Sequence, residues 1–445
     1  MNRRVFLSSL SAAAASAAIS SAQTARKPNI IFIMADDFGY ADLGCYGQKE
    51  VMTPNLDRMA GEGLRFTQAY AGCTVCAPSR CTLMTGKHTG HCWVRGNRRP
   101  EVPLRPQDVT VAEVLKKAGY VTGMFGKWGL GPAETIGIPN KKGFDEWFGY
   151  LDQVHAHNYW TDTMWENQEE VFLQKNFGGK KGVYAQQLFT QHALSFIKRH
   201  KEKPFFLYLP YTTPHGAWDP PSDAPYTDRN WPQPKKNIAA MITSLDTDIG
   251  KIMAALQEHG LDENTLVVFT GDNGAHPTPA KFFNSDAPLR GAKRDMYEGG
   301  IREPFIARWR GKIQPGVSDQ VLAFWDMLPT FAEIGGGVAP QGIDGISMAP
   351  AILGKPQKRQ HEYLYWEFYE NGFQQAVRMG DWKGVRLKQG EPLELYDLKT
   401  DLGEAKNIAA EHPDIVEKIG KIMAMAHGPN PYWPDTRKNI PKAEG

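Results

Sequence analysis

The chain has little cysteine, almost no net charge and no long apolar run. Its 445 residues include 5 cysteines, all between Cys45 and Cys92. The pair Cys73 and Cys76 forms a C-x-x-C that is not followed by a second such pair or by histidines at finger-like spacing, which weakens a zinc reading and leaves a disulfide open. Lys plus Arg number 51 against 49 Asp plus Glu, so no electrostatic footprint for nucleic acid is present. The Ala/Ser-rich apolar run that ends at Ile19 is shorter than the ~20 residues that span a bilayer, so no stable membrane anchor is expected. No internal repeat is visible.

What is there describes an ordinary globular chain, 41% hydrophobic and 22% charged, without extended disorder. At roughly 100–200 residues per domain, its length fits two domains. Residues 1–22 read as an export signal: Arg3-Arg4 followed by x-Phe-Leu looks like a twin-arginine signal, and Ser20-Ser21-Ala22 offers small residues for cleavage. A periplasmic or secreted protein is expected, in an oxidising compartment where Cys45, Cys73, Cys81 and Cys92 can pair.

Three short apolar runs read as buried strands of an α/β sheet: 29–35, 205–209 and 265–270. Each ends in a polar cluster, namely Asp36-Asp37, Thr213-Pro214-His215 and Asp272-Asn273. Ligands bind at such strand ends in open α/β sheets. Helical segments are expected at 110–118 and 184–199. Composition changes after Gly354, where runs at 362–368, 374–379, 382–387 and 394–398 predict a small antiparallel sheet, followed by a helix from His412 to about Met425. The expected organisation is a catalytic unit over 27–354 and an α+β unit with a tail over 355–445.

Asp36, Asp37, Asp272 and Asn273 are hard oxygen donors of the kind that hold Ca²⁺ or Mg²⁺. Neighbouring Asp residues on one strand point apart, so Asp36 and Asp37 reach one ion only if the strand ends between them. In Cys76-Ala77-Pro78-Ser79-Arg80, a loop-to-helix junction would place a thiol and a cation on one face, beside helix N–H groups that favour sulfate or phosphate.

These residues carry a resemblance. Cys76-x-Pro78-Ser79-Arg80 with Thr85-Gly86 resembles the C-x-P-S-R…T-G signature of the type I sulfatases. Asp36-Asp37-x-Gly39-Tyr40 resembles their D-D-x-G-Y, Gly271 to Gly274 their G-D-N-G, Gly126-Lys127-Trp128 their G-K-W, Pro214-His215 their P-H, Leu289 to Lys293 their L-R-G-x-K, and Glu394 to Leu398 their E-L-Y-(N/D)-L. The resemblance implies an alkaline-phosphatase-like fold, a large mixed β-sheet sandwiched by helices with a small C-terminal antiparallel sheet plus helix. It implies that Cys76 is converted to formylglycine by a formylglycine-generating enzyme or an anaerobic maturase. It also implies one divalent ion, Ca²⁺ with Mg²⁺ as alternative, on Asp36, Asp37, Asp272, Asn273 and the modified Cys76. Arg80, Lys127, His215 and Lys293 would surround a sulfate ester, with His215 near the ester oxygen.

One position departs from the pattern. The family reads G-K-W-H-L-G and this chain has Gly129 in place of the histidine, so water or another histidine (His88, His91, His155 or His157) is expected in the vacated space. A sulfuric-ester hydrolase acting on sulfated carbohydrate is the leading expectation, with Trp218, Trp231 and the 153–160 segment available to stack on sugar rings. A phosphate or phosphonate monoester hydrolase and an inactive sulfated-glycan-binding homologue are the alternatives.

Overall fold

The structure, a computed structural model, describes residues 26–435. The expected export signal and the end of the tail lie outside them. The first apolar run forms β1 (Asn29–Ala35), the middle of an 11-stranded mixed sheet. On one side of β1 stand β7 (Phe205–Pro210), β3 (Val121–Lys127), β4 (Glu146–Tyr150), β5 (Thr163–Glu166) and β6 (Glu169–Phe172). On the other stand β8 (Thr265–Gly271), β9 (Arg302–Arg308), β2 (Leu64–Tyr70) and β10 (Gly316–Ser318), with β11 (Leu322–Ala323) also pairing β2. The strands from β8 through β1, β7 and β3 to β4 are parallel, so their C-terminal ends share one edge.

Alternation along β1 explains why the sheet is covered on both faces. Ile30, Phe32 and Met34 enter one core with residues of the helices Cys76–Thr85, Val111–Lys117 and Met327–Gly335. Ile31, Ile33 and Ala35 enter the other with the helices Pro54–Gly61, Ala185–His200 and Gln233–Glu258. Each large apolar side chain taken fully out of water contributes roughly 1.5–3 kcal/mol. Asn29, the polar residue of the run, stitches the strand starts together: its amide donates to Thr265 Oγ1 at 3.1 Å and its oxygen accepts from Phe205 N at 3.3 Å.

The second sheet is antiparallel, in the order β12 (Leu364–Phe368), β13 (Gln374–Met379), β14 (Trp382–Arg386), β15 (Glu394–Asp397). Tyr365, Val377 and Leu395 pack one face against Ile419 and Met423 of the helix Pro413–Ala426. Trp366, Ala376 and Val385 pack the other against Tyr70, Val75 and Ile301 of the large unit. The small sheet therefore supports the segment that leads into the Cys76 helix.

The structure adds strands that periodicity did not bring out. β9 buries Arg302, Glu303 and Arg308 among its apolar residues, and β3 reads V-T-G-M-F-G-K. The five cysteines are all unpaired: the disulfide expected as a possibility is absent among the described residues. Cys73 lies in the apolar packing beneath the small sheet, its Sγ 3.6 Å from the Glu367 carbonyl, while Cys76 faces the strand ends.

Candidate active site

The strand ends just before the two aspartates rather than between them. β1 stops at Ala35, and Asp37 takes a left-handed backbone with φ 58°, a region that Asp tolerates better than most residues. This turn lets both carboxylates converge. Asp36 N donates to Thr213 O at 3.0 Å, and Asp37 N donates to Asp272 Oδ1 at 3.0 Å. Asp272 and Asn273 follow β8 directly, with Asp272 N donating to Ala35 O at 2.9 Å. Two neighbouring parallel strands thus deliver four oxygen-bearing side chains to one point.

Cys76 is the first residue of the helix Cys76–Thr85, preceded by extended Val75, which supplies no side-chain cap. Its Sγ lies 3.4 Å from Asp36 Oδ1 and 4.0 Å from Lys293 Nζ. One helical turn on, Arg80 spans the cluster: Nη2 meets Asp36 Oδ2 at 2.9 Å and Asp272 Oδ2 at 2.8 Å, and Nη1 donates to the Lys127 carbonyl at 2.7 Å. Ser79 locks the helix to the sheet, donating to Asp272 O at 2.5 Å and accepting from Gly72 N at 3.1 Å.

Lys127, at the end of β3, lies 2.7 Å from Asp36 Oδ2, and Lys293 lies 2.7 Å from Asp37 Oδ2. His215 Nε2 is 3.5 Å from the same Asp37 oxygen, while Nδ1 meets the Gly216 carbonyl at 2.7 Å. All the predicted catalytic and metal-binding residues are therefore brought together. Three buried carboxylates face three buried cations, with Asn273 between them. A divalent ion added to this balanced set would leave the positive charge that a sulfate ester needs.

The electrostatics follow from that crowding. Burial opposes ionisation of Asp36, yet Lys127, His215 and Arg80 hold its carboxyl well below the usual range. Asp272 goes the other way, raised to about 6 by burial and by Asp36. Burial, with Lys293 and Lys127, pushes His215 down to about 3. Burial and Asp36 push the Cys76 thiol up, so it is a poor thiolate nucleophile.

The donor set fits a hard cation. The closest-set donor atoms of Asp36, Asp37, Cys76 and His215 lie within 4.8 Å of one another. Asn273 donates from Nδ2 to Asp37 Oδ1 at 2.9 Å, and its buried Oδ1 has no partner among the described residues. An orphaned amide oxygen beside three carboxylates is suited to Ca²⁺ or Mg²⁺.

Four histidines were expected as candidates for the space beside Gly129, and the structure separates them. His88 and His91 lie by Asp344, the latter at 2.8 Å, and His155 meets Thr161 Oγ1 at 2.6 Å. Only His157 borders the site, its ring edge-on to His215 with centroids 4.2 Å apart. At Gly129 itself the crowding comes from Gln153: a Cβ there would stand 1.7 Å from Gln153 Nε2. Of the expected stacking aromatics, Trp218 packs on His276, Trp231 on Tyr226 and Trp160 on Tyr184.

Several positioning residues lie in segments that the sequence marked without giving these side chains a role. Tyr159 Oη donates to the carbonyls of Thr212 and His215 at 2.6 and 2.8 Å, bracing the histidine loop. Arg290 lies 3.7 Å above the Tyr297 ring and donates to Tyr396 Oη at 3.0 Å. This explains the E-L-Y-D-L segment physically: Tyr396 and Glu394 hold the loop that carries Lys293.

Comparison with known proteins gives a consistent result. The family profile described as Sulfatase matches residues 28–338, and one described as N-sulphoglucosamine sulphohydrolase, C-terminal, matches 291–426. The chain is 33% identical to arylsulfatase A of Homo sapiens, over 90% of this chain and 88% of that one. It is 30% identical to N-acetylgalactosamine-6-O-sulfatase of Bacteroides thetaiotaomicron, over 90% and 93%. Among solved structures, Ps i-CgsB in complex with k-i-k-neocarrahexaose superposes with a TM-score of 0.82 at 28% identity, covering 93% of this chain and 96% of that one.

Proposed function

Because this chain belongs to the sulfatase family and is a sulfuric-ester hydrolase, we propose that it releases sulfate from a sulfated carbohydrate through a formylglycine made from Cys76 and one Ca²⁺. The observation that carries this reading is the place of Cys76. Its soft sulfur lies among hard oxygen donors, 3.4 Å from Asp36 Oδ1, where an oxygen-bearing side chain suits a hard ion better. Asp36, Asp37, Asp272 and Asn273 would hold the ion. When present, the ion would make a nearby hydroxyl acidic, and the hydrated aldehyde would supply two hydroxyls on one carbon.

The chain's own side chains do the rest. Arg80 fixes the directions of Asp36 and Asp272. Lys127 and Lys293, already desolvated, stabilise negative charge on the sulfate oxygens more strongly than they would in water. The uncapped start of the Cys76 helix adds dipole of the same sign. The carbohydrate part of the proposal is supported by the relatives named for N-acetylgalactosamine-6-sulfate and by the neocarrahexaose complex. Maturation by a formylglycine-generating or anaerobic enzyme, and export, belong to the same proposal. No helix among the described residues is long and apolar enough to cross a membrane.

Peptide mass spectrometry of active enzyme tests it. The expected result is the mass of formylglycine in place of Cys76, with Cys76→Ala inactive and Cys76→Ser giving no sustained turnover. An unmodified thiol in active enzyme overturns the mechanism.

A further inference from the structure

Arg294 stands beside the site in a backbone conformation that its neighbours impose. Its φ of 76° lies in the left-handed region that L side chains rarely adopt. Thr74 holds it there: Arg294 N donates to Thr74 Oγ1 at 2.7 Å and to Thr74 O at 3.1 Å. Thr74 comes two residues before Cys76, and Lys293 directly precedes Arg294, so this residue is docked on the segment that carries the nucleophile. Burial works against the charge of Arg294, but Glu370 and, beyond it, Cys76 and Asp37 hold its guanidinium above the ordinary range.

The partner of that guanidinium comes from the small unit. Glu370 lies in the turn between β12 and β13, and Arg294 Nε donates to its Oε2 at 2.8 Å. The turn is anchored, with Gly372 N donating to Tyr369 O at 3.2 Å and Tyr369 Oη to Glu367 Oε1 at 2.6 Å. The pair is only half used. Arg294, with its side chain 42% exposed, has no partner for Nη1 or Nη2 among the described residues. The Glu370 side chain is 10% exposed, and its Oε1 is buried with no partner among the described residues. Free donors and a desolvated acceptor therefore stand side by side next to the cation cluster.

We propose that Arg294 and Glu370 form a specificity subsite that holds a free hydroxyl of the sugar carrying the scissile sulfate. The inference rests on the sulfated-carbohydrate reading and adds the group by which that sugar is recognised. A hydroxyl accepts and donates at once, so its oxygen takes a hydrogen from an Arg294 Nη while its own hydrogen goes to Glu370 Oε1. A second acidic group on the substrate suits the pair less well, because the two side chains cancel each other's charge. A substrate without the hydroxyl leaves the buried Oε1 unpaired, which is a penalty of recognition rather than of chemistry. The small unit then takes part in choosing the substrate as well as in supporting the Cys76 segment.

Removing the hydroxyl and removing its partner should not add, and that tests the proposal. kcat/KM is measured for wild type, Arg294→Met and Glu370→Ala on a sulfated galactoside or N-acetylhexosamine that wild type desulfates, on its mono-deoxy analogues, and on 4-nitrophenyl sulfate. In wild type one deoxy analogue should be slower than the parent sugar by about 10- to 100-fold, the worth of a hydrogen bond to a charged group. In each variant the same analogue should come within about 5-fold of the parent. Both variants should lose at least about 10-fold more on the parent sugar than on 4-nitrophenyl sulfate. Formylglycine content and melting temperature, read on the same samples, separate this from misfolding. Deoxy penalties that are the same in wild type and variants, or equal losses on sugar and aryl sulfate, overturn the proposal and leave the sulfatase reading intact. So does a loss confined to substrates with a second sulfate or a carboxylate, which would assign Arg294 to an anion. A wild type that desulfates 4-nitrophenyl sulfate but no sugar overturns the carbohydrate reading, and this proposal with it.

Discussion

Gly129 is where this chain leaves the family pattern, and its backbone explains why a simple reversion fails. Its φ is +73°, a region in which an L side chain costs roughly 1–2 kcal/mol, and a Cβ would stand 1.7 Å from Gln153 Nε2. Gly129→His is therefore expected to lower the melting temperature and to reduce kcat/KM rather than raise it. Adding Gln153→Ala removes the clash but not the backbone strain, so thermal denaturation of the double variant should show partial recovery. A single variant as stable as wild type would contradict this account. The Gly129 gap was legible in the sequence. Its occupant was not, because Gln153 follows a different strand and approaches only when β3 and β4 pair, with Gly129 N donating to Leu151 O at 3.0 Å.

At the scale of elements, the small sheet is tied to the large unit by a buried charge network. Lys383 on β14 lies 2.8 Å from Glu298 Oε1 and 3.4 Å from Glu404 Oε1, with all three side chains fully buried. Glu298 also meets Arg302 at 3.1 Å and accepts from Tyr70 Oη at 2.6 Å. Lys383→Met would leave buried carboxylates without their cation, and a loss of about 3–5 kcal/mol is expected in chemical denaturation. Burial pushes the Glu298 carboxyl up, but Lys383 and Arg302 outweigh it and hold the value at about 2, below the ordinary 4.5. A depressed acid stabilises fully above pH 4.5 and loses that contribution as pH falls toward 2. The wild-type melting temperature should drop across this window, and Glu298→Gln should flatten the drop. A variant with the same pH profile as wild type would remove Glu298 from the explanation. Periodicity predicted the four small strands but gave no sign of this network, since Glu298 and Lys383 are 85 residues apart.

At the scale of the whole molecule, the cluster of Asp36, Asp37, Asp272 and Asn273 closes the edge where β1 and β8 end. An ion that binds only the folded chain should stabilise all of it, by about 2.7 kcal/mol at 100 times its Kd. Chelation followed by Ca²⁺ or Mg²⁺ addition should show this as a fall and a recovery of the melting temperature, with the larger recovery for Ca²⁺ under the proposed assignment. Asp37→Ala, which removes one of the proposed ligands, should abolish the response. An ion-independent melting temperature in wild type would argue against a resident metal.

The sequence by itself determined the chemistry at the strand ends. Apolar runs ending in Asp36-Asp37, His215 and Asp272-Asn273, with Cys76 and Arg80 one helical turn apart, are local patterns that survive without coordinates. It also determined the small antiparallel sheet, whose alternation lies within short segments. Only the tertiary structure decided which histidine borders the site, what fills the space at Gly129, and how the C-terminal Tyr396 supports the loop of Lys293. Those relations join residues on separate strands and loops, and distance along a chain carries no information about them until the sheets have formed.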